Sequence, residues 1–135
     1  MSKKLINPPE LYDGAAFGLS QATVETELGL VFVSGQVAWN HQYETTETSV
    51  EGQARKALDN LQIALTAAGS SVGQLLQVRV YIRGELGEHM ATVGPILSAF
   101  LGDSRPAVTG IGVASLASPS TLVEVEAVAT VGKGL

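Results

Sequence analysis

A chain of 135 residues is long enough for one folded domain, here taken as residues 1-135, with a sizeable core. Its 45% hydrophobic and 16% charged content marks it as globular rather than disordered. A formal net charge of -5 gives no basic footprint for phosphate contacts, which argues against a nucleic-acid partner, and the lack of cysteine excludes disulfides, thiol nucleophiles and cysteine-held zinc.

The N-terminal stretch MSKKLINPPELYDG has no apolar segment of signal-peptide length, and no run is long enough to span a membrane. A cytoplasmic protein without a membrane partner is therefore expected. After a Pro- and Asp-containing lead-in, residues from about Ala16 to Glu25 read as a strand. Gly29 then opens LVFVSGQVA, whose lack of alternation suggests a central strand covered on both faces. Trp39 to Glu47 is polar and reads as a loop. Thr48, with Glu51 three residues later, matches a capping box, so a helix should start there. Ala54, Ala57, Leu58, Leu61, Ala64, Leu65 and Ala68 follow at helical spacing, and Gly69 supplies a stop.

A further strand spans about Leu75 to Arg83, with Val78, Val80 and Ile82 on one face and Gln77, Arg79, Tyr81 and Arg83 on the other. From Glu88 to Leu101, Met90, Val93, Leu97 and Phe100 share a helical stripe, but Pro95 removes a backbone donor and should kink or restart that helix. Two apolar runs, Ala107 to Leu116 and Leu122 to Val131, flank a loop holding Ala117, Ser118, Pro119 and Ser120, and read as a hairpin. In the second run Val123, Val125, Ala127 and Ala129 share one face, while Leu122, Glu124, Glu126 and Val128 share the other. Those two carboxylates have two readings: the solvated face of a half-buried sheet, or a chemical site. The order β-β-α-β-α-β-β suggests an α+β domain with one mixed or antiparallel sheet and two helices on one face.

Much familiar chemistry is missing. No glycine-rich phosphate loop joins a strand to a helix, and no serine lies in a nucleophile elbow. His41 and His89 are far apart in polar surroundings and read as solvated residues, so no metal site is expected.

Ser34-Gly35-Gln36, the helix pattern QARKALDNLQIALTAAG, the Arg79 to Arg83 strand ending VYI, and PAVTGIGVASL with VEVEAVA together resemble the RidA (YjgF, endoribonuclease L-PSP) family, in its order and spacing from about Ser20 to Val131. The resemblance implies a chorismate-mutase-like fold assembled as a homotrimer, with small-molecule clefts between subunits. It also implies cofactor-free hydrolysis of enamines and imines such as 2-aminoacrylate to 2-keto acids and ammonia. Carried over by position, Glu124 is the catalytic residue that places water. Ser34 and Gly35 approach the ligand, Leu19 stands where the family has a cleft tyrosine, and Gly94 stands where an asparagine is common.

One departure is chemical. The family's carboxylate-holding arginine, in a Pro-Ala-Arg-Ser/Thr motif, is replaced in Pro106-Ala107-Val108-Thr109 by Val108, which has neither donor nor charge. Arg105 lies at an odd offset, so on an extended strand it would face the other way; it is expected to precede the strand and to be solvated. Arg79, on a cationic face, is the first candidate replacement. Two functions follow: hydrolysis of an imine or related labile metabolite lacking a carboxylate, or a non-catalytic small-ligand-binding or interaction trimer. For Ser34 the plain alternative is a strand serine bonded to backbone.

Overall fold

The computed structural model describes residues 2-132. In chain order its main elements are strands β1 (Lys3–Ile6), β2 (Ala22–Glu25) and β3 (Leu30–Gln36), helix α1 (Val50–Ala67), strand β4 (Leu75–Arg83), helix α2 (Met90–Leu101), and strands β5 (Ala107–Val113) and β6 (Val123–Thr130). The expected order is found with one more strand at the N-terminal end. The six strands form one mixed sheet, ordered β1-β2-β3-β6-β4-β5.

The expected hairpin is not formed. β6 pairs antiparallel with both β3 and β4, while β5 runs parallel to β4 at the sheet edge. The physical reason is connectivity: β4, α2 and β5 make a strand-helix-strand crossover, which delivers β5 parallel to β4. Residues 114-122 then carry the chain back across β4 to the gap beside β3.

Helix α1 begins one residue later than the sequence suggests. Ser49, not Thr48, is the cap, accepting a hydrogen bond from the Gly52 N–H at 3.0 Å, while Glu51 pairs with Arg55 at 3.6 Å. The apolar stripe from Ala54 to Ala68 is buried as its spacing requires. It packs on the inward side chains of β3 and β6, namely Val31, Val33, Val123, Val125, Ala127 and Ala129. Each large side chain so buried contributes about 1.5–3 kcal/mol. Gly69, at φ +79°, takes the left-handed turn that ends the helix.

Three local expectations are corrected. β3 is not covered on both faces: Val31 and Val33 are buried, but Phe32 between them is 47% exposed. Residues 15-17 form a 3-10 turn rather than strand, because the Asp13 carboxylate accepts from the Ala15 N–H at 2.9 Å and nucleates a turn before β2. Helix α2 runs through Pro95 without restarting. Pro95 and Ala91, whose carbonyl loses its helical donor, are both exposed, so water can satisfy that group. With both helices on one side, the other sheet face is open and carries Phe32, Arg79, Tyr81, Glu124, Glu126 and Val128.

Candidate active site

The site grows from an irregularity in β3. Val33 pairs with Ala127 and Gln36 with Val125, so Ser34 and Gly35 together oppose the single residue Glu126. Such a bulge re-aims the strand and increases its twist. Gly35 is brought against Glu124: a Cβ at position 35 would lie 2.1 Å from Glu124 Oε2 and 2.6 Å from its Cδ. Only a residue without a side chain admits the carboxylate there.

A buried amide network holds the bulge in place. Ser34 Oγ donates to the Ser20 carbonyl at 2.6 Å, and its N–H donates to the Gln21 carbonyl at 2.9 Å. The Gln36 side-chain amide donates to Gln21 Oε1 at 2.9 Å and to the Ser34 carbonyl at 3.1 Å; Gln21 Nε2 in turn donates to the Tyr12 carbonyl at 2.7 Å. Both glutamines are fully buried, so a broken link would leave a polar group unpaired where water cannot reach. Asn7 braces the same stretch, accepting from the Gln21 N–H and donating to Ser20 Oγ, both at 3.1 Å.

The two carboxylates of β6 differ in environment. Half-burial pushes the Glu124 carboxyl above the usual range, and the nearby charge of Glu126 pushes it further the same way. Glu126 receives a hydrogen bond from the Tyr81 hydroxyl and lies 3.7 Å from the Arg79 guanidinium. That hydrogen bond is the main reason the Tyr81 hydroxyl is raised. Arg79 thus faces Glu126 and is not a free cation. A half-buried carboxyl inclined to hold its proton, beside a second carboxyl tethered by Tyr81 and Arg79, is an arrangement suited to acid–base chemistry.

The other residues singled out in the sequence fall into two places. Leu19 is half-buried beside Ser20 and packs on Gly14, next to the bulge. Val108 and Gly94 instead line a groove of about 380 Å³ between α2 and the edge strand β5, together with Arg105. Val108 is paired with Val78, which faces the helices, whereas Glu124 lies on the open face. Two strand spacings and three residues also separate them, roughly 14 Å along the sheet. Within one chain the two halves do not meet.

Sequence reasoning missed the buried Gln21–Gln36 pair and the tether on Glu126. Gln36 had a signal, being a polar residue inside an apolar strand; Gln21 and Tyr81 had none. Arg105 does precede β5 and is exposed, but its backbone is left-handed at φ +49°, so strand alternation does not govern where it points. His41 and His89 lie in separate loops, and among the described residues no cluster of three or more His, Cys, Asp or Glu could hold a metal ion. No described helix is long and apolar enough to cross a membrane.

The chain is similar to known proteins in sequence and in fold. The family model described as endoribonuclease L-PSP matches residues 14–131. The chain is 31% identical over 103 residues to the 2-iminobutanoate/2-iminopropanoate deaminase of Escherichia coli (strain K12), covering 74% of this chain and 78% of that protein. It is 30% identical over 131 residues to the mitochondrial protein mmf2 of Schizosaccharomyces pombe, covering 96% and 98%. Among solved structures, the Rid-family protein YyfA of Yersinia pestis, described as of unknown function, has a TM-score of 0.86 at 25% identity and covers 96% of this chain and 100% of that one. Yeast Mmf1, at 22% identity and a TM-score of 0.87 over 97% of this chain and 100% of its own, shares the fold. The two helices on a six-stranded mixed sheet are the chorismate-mutase-like fold of this group, and the chain belongs to the endoribonuclease L-PSP family, also called RidA or YjgF.

Proposed function

We propose that this protein is a cofactor-free hydrolase of enamines or imines, working as a homotrimer in the cytoplasm with its small-molecule site between subunits. The observation that carries the reading is the Glu124 carboxyl, seated against Gly35 at a bulge and held above the usual range by burial. A carboxyl tuned toward neutral pH is suited to accept a proton and return it. Glu124 takes a proton from water as the oxygen bonds to the imine carbon and the C=N electron pair moves to nitrogen. It returns the proton to that nitrogen to give a carbinolamine, then takes the new hydroxyl proton and delivers it to the same nitrogen as the oxygen lone pair closes the C=O bond and the C–N bond breaks, so that ammonia leaves and a carbonyl product remains. Ser34 already spends its hydroxyl proton on the Ser20 carbonyl, so toward a substrate it acts as an acceptor and would hold the imine N–H.

The trimer is supported by the open sheet face and by large apolar side chains left exposed: Phe32 at 47%, Leu76 at 48% and Val108 at 45%. Val31 and Val33 take no part in this argument, being covered by α1 within the chain. Separation of the Glu124 and Val108 halves in one chain also favours a site completed by a neighbour. The name of the Escherichia coli relative supports the reaction class. The test is ammonia release from an enamine-generating lyase mixture, with and without the protein. Acceleration that is lost in Glu124→Gln supports the reading; a folded trimer without acceleration overturns it in favour of a binding or interaction protein.

A further inference from the structure

We propose that Phe17 and Tyr43 form a stacking platform for an aromatic ring of the ligand, so that the substrate of this site carries an aryl group. The inference rests on the reading above and deepens it by naming a substrate class.

Of the chain's one tryptophan, three tyrosines and three phenylalanines, four rings meet at one place. Tyr12 lies 5.1 Å from Trp39 and 5.6 Å from Tyr43, and Tyr43 lies 6.1 Å from both Trp39 and Phe17, centroid to centroid. None of the four belongs to the core beneath α1, so two loops build this cluster for themselves. The opposing explanation is that the rings only tie the loops together. Tyr12, Trp39 and Tyr43 suffice for that, with the Tyr43 hydroxyl donating to the Asp13 carbonyl at 2.7 Å. Phe17 is surplus to it: among the described residues its one ring contact is with Tyr43, and it is 61% exposed, while Tyr43 is 44% exposed. These two rings meet edge to face at 79°, an arrangement that leaves a ring face open to a third ring, whose contact is favourable beyond the area it buries.

The platform is rigid and adjoins the site. Tyr43 adopts φ +63°, which a bulky residue keeps only where its surroundings over-determine it; here its N–H donates to the Asn40 carbonyl at 3.1 Å and its hydroxyl to Asp13. A ring already fixed loses little freedom when a ligand stacks on it. On the other side, the Tyr12 carbonyl accepts from Gln21, which is joined through Gln36 to the bulge at Ser34. Phe17 stands three residues before Ser20, so their Cα atoms are at most roughly 11 Å apart, and the Ser20 carbonyl is the one that receives Ser34 Oγ. Burial is the main reason the Tyr12 hydroxyl is raised, and the charge of Glu124 pushes it the same way, so the buried ring of the cluster lies within reach of that carboxyl. A small ligand with its reacting carbon at Glu124 can thus extend an aryl group onto Phe17 and Tyr43.

Ligand binding tests this apart from catalysis, because Trp39 is the chain's one tryptophan and its indole N–H gives a single NMR signal inside the cluster. The purified full chain is titrated with phenylacetamide and with acetamide, which share an uncharged head group and differ by the phenyl ring. Phenylacetamide should shift the Trp39 signal to saturation, and acetamide should leave it in place. In Phe17→Leu, which stays apolar and loses the ring at a position outside the core, phenylacetamide affinity should fall about threefold to tenfold, the usual effect of losing an aromatic pair. Phe17→Tyr should retain it, and Leu28→Ala, at an exposed leucine between β2 and β3, should change nothing. Equal affinity in Phe17→Leu and the parent overturns the proposal, as does an equal response to the two probes. An affinity that weakens as protein concentration rises overturns it too, since a second copy then covers the platform. Ring binding through Phe17 by a protein that hydrolyses no imine would leave this inference standing and remove the catalytic reading; imine hydrolysis without preference for the phenyl probe would do the reverse.

Discussion

Replacing Gly35 with alanine tests the site where the structure is most demanding. The new methyl would lie 2.1 Å from Glu124 Oε2, 2.6 Å from Cδ and 3.0 Å from Cγ, whereas non-bonded carbon contacts relax to about 3.5–4.0 Å. The carboxylate must therefore withdraw by about 1.5 Å. Gly35 does not have a positive φ, so alanine adds no backbone strain, and what moves is the far end of a flexible side chain on the open face. Stability should change by less than about 1 kcal/mol, as for a surface substitution. Activity should respond far more, because a misplacement of about 1 Å in a reacting group can cost roughly a hundredfold in rate. Glu124, pushed toward water, should also lose part of the burial that raises its pKa. The assay pairs ammonia release with a denaturant titration and a carbon-detected NMR titration of the Glu124 carboxyl. Undiminished activity with an unmoved titration would refute the claim that Gly35 sets the carboxylate's position.

The remaining predictions address other links in the argument. Glu124 binds its proton more tightly in the folded state, so stability from this group is present at acid pH and falls as pH rises through the window above its ordinary value of 4.5; denaturant midpoints of Glu124→Gln and the parent should coincide near pH 3, with the variant higher at neutral pH. Gln53→Ala should lower stability by about 2–4 kcal/mol with an unchanged denaturant slope, because Gln53 donates to the carbonyls of Glu47 and Ser120 and accepts from the Leu122 N–H while buried. Leu61→Ala, at a position with no exposure beneath α1, should cost about 2–5 kcal/mol, read as a lower thermal midpoint. If the proposed trimer forms through the open sheet face, Phe32→Glu should dissociate it in sedimentation equilibrium and leave the circular dichroism spectrum unchanged, since that ring contributes nothing to the core beneath α1.

What could be read without coordinates follows from the range of the forces involved. The buried stripe of α1 and the inward faces of β4 and β6 are set by periodicity and were recovered residue by residue. The hairpin failed because alternation says which way side chains face, not which strand lies alongside. A length argument was present: residues 114-122 make a long connection for a hairpin, and β4-α2-β5 has the form of a crossover. At the site, Gly35 lies against Glu124 next to Ser34, and the reason, a bulge facing a carboxylate, emerges only from the β3–β6 register. The buried Gln21–Gln36 pair joins residues fifteen apart, a tertiary contact that no local rule announces. Arg105 precedes β5 and is exposed, as the sequence suggested, but the left-handed backbone it adopts had no signal in the sequence.

Placing β6 in the middle of the sheet also has a consequence for how the chain is made. On the ribosome, β3 and β4 emerge well before the strand that must join them, and the sheet cannot close until Val123–Thr130 has cleared the exit tunnel. Until then both keep an unpaired hydrogen-bonding edge beside the apolar side chains of Val31, Val33, Val78 and Val80, an invitation to pair with another nascent chain. A chain ending before β6 would lack the element that joins β1-β2-β3 to β4-β5, leaving two sheet fragments rather than a smaller sheet. Folding thus waits for the synthesis of β6, and the many sequence-distant pairings make it slow for a domain of this size.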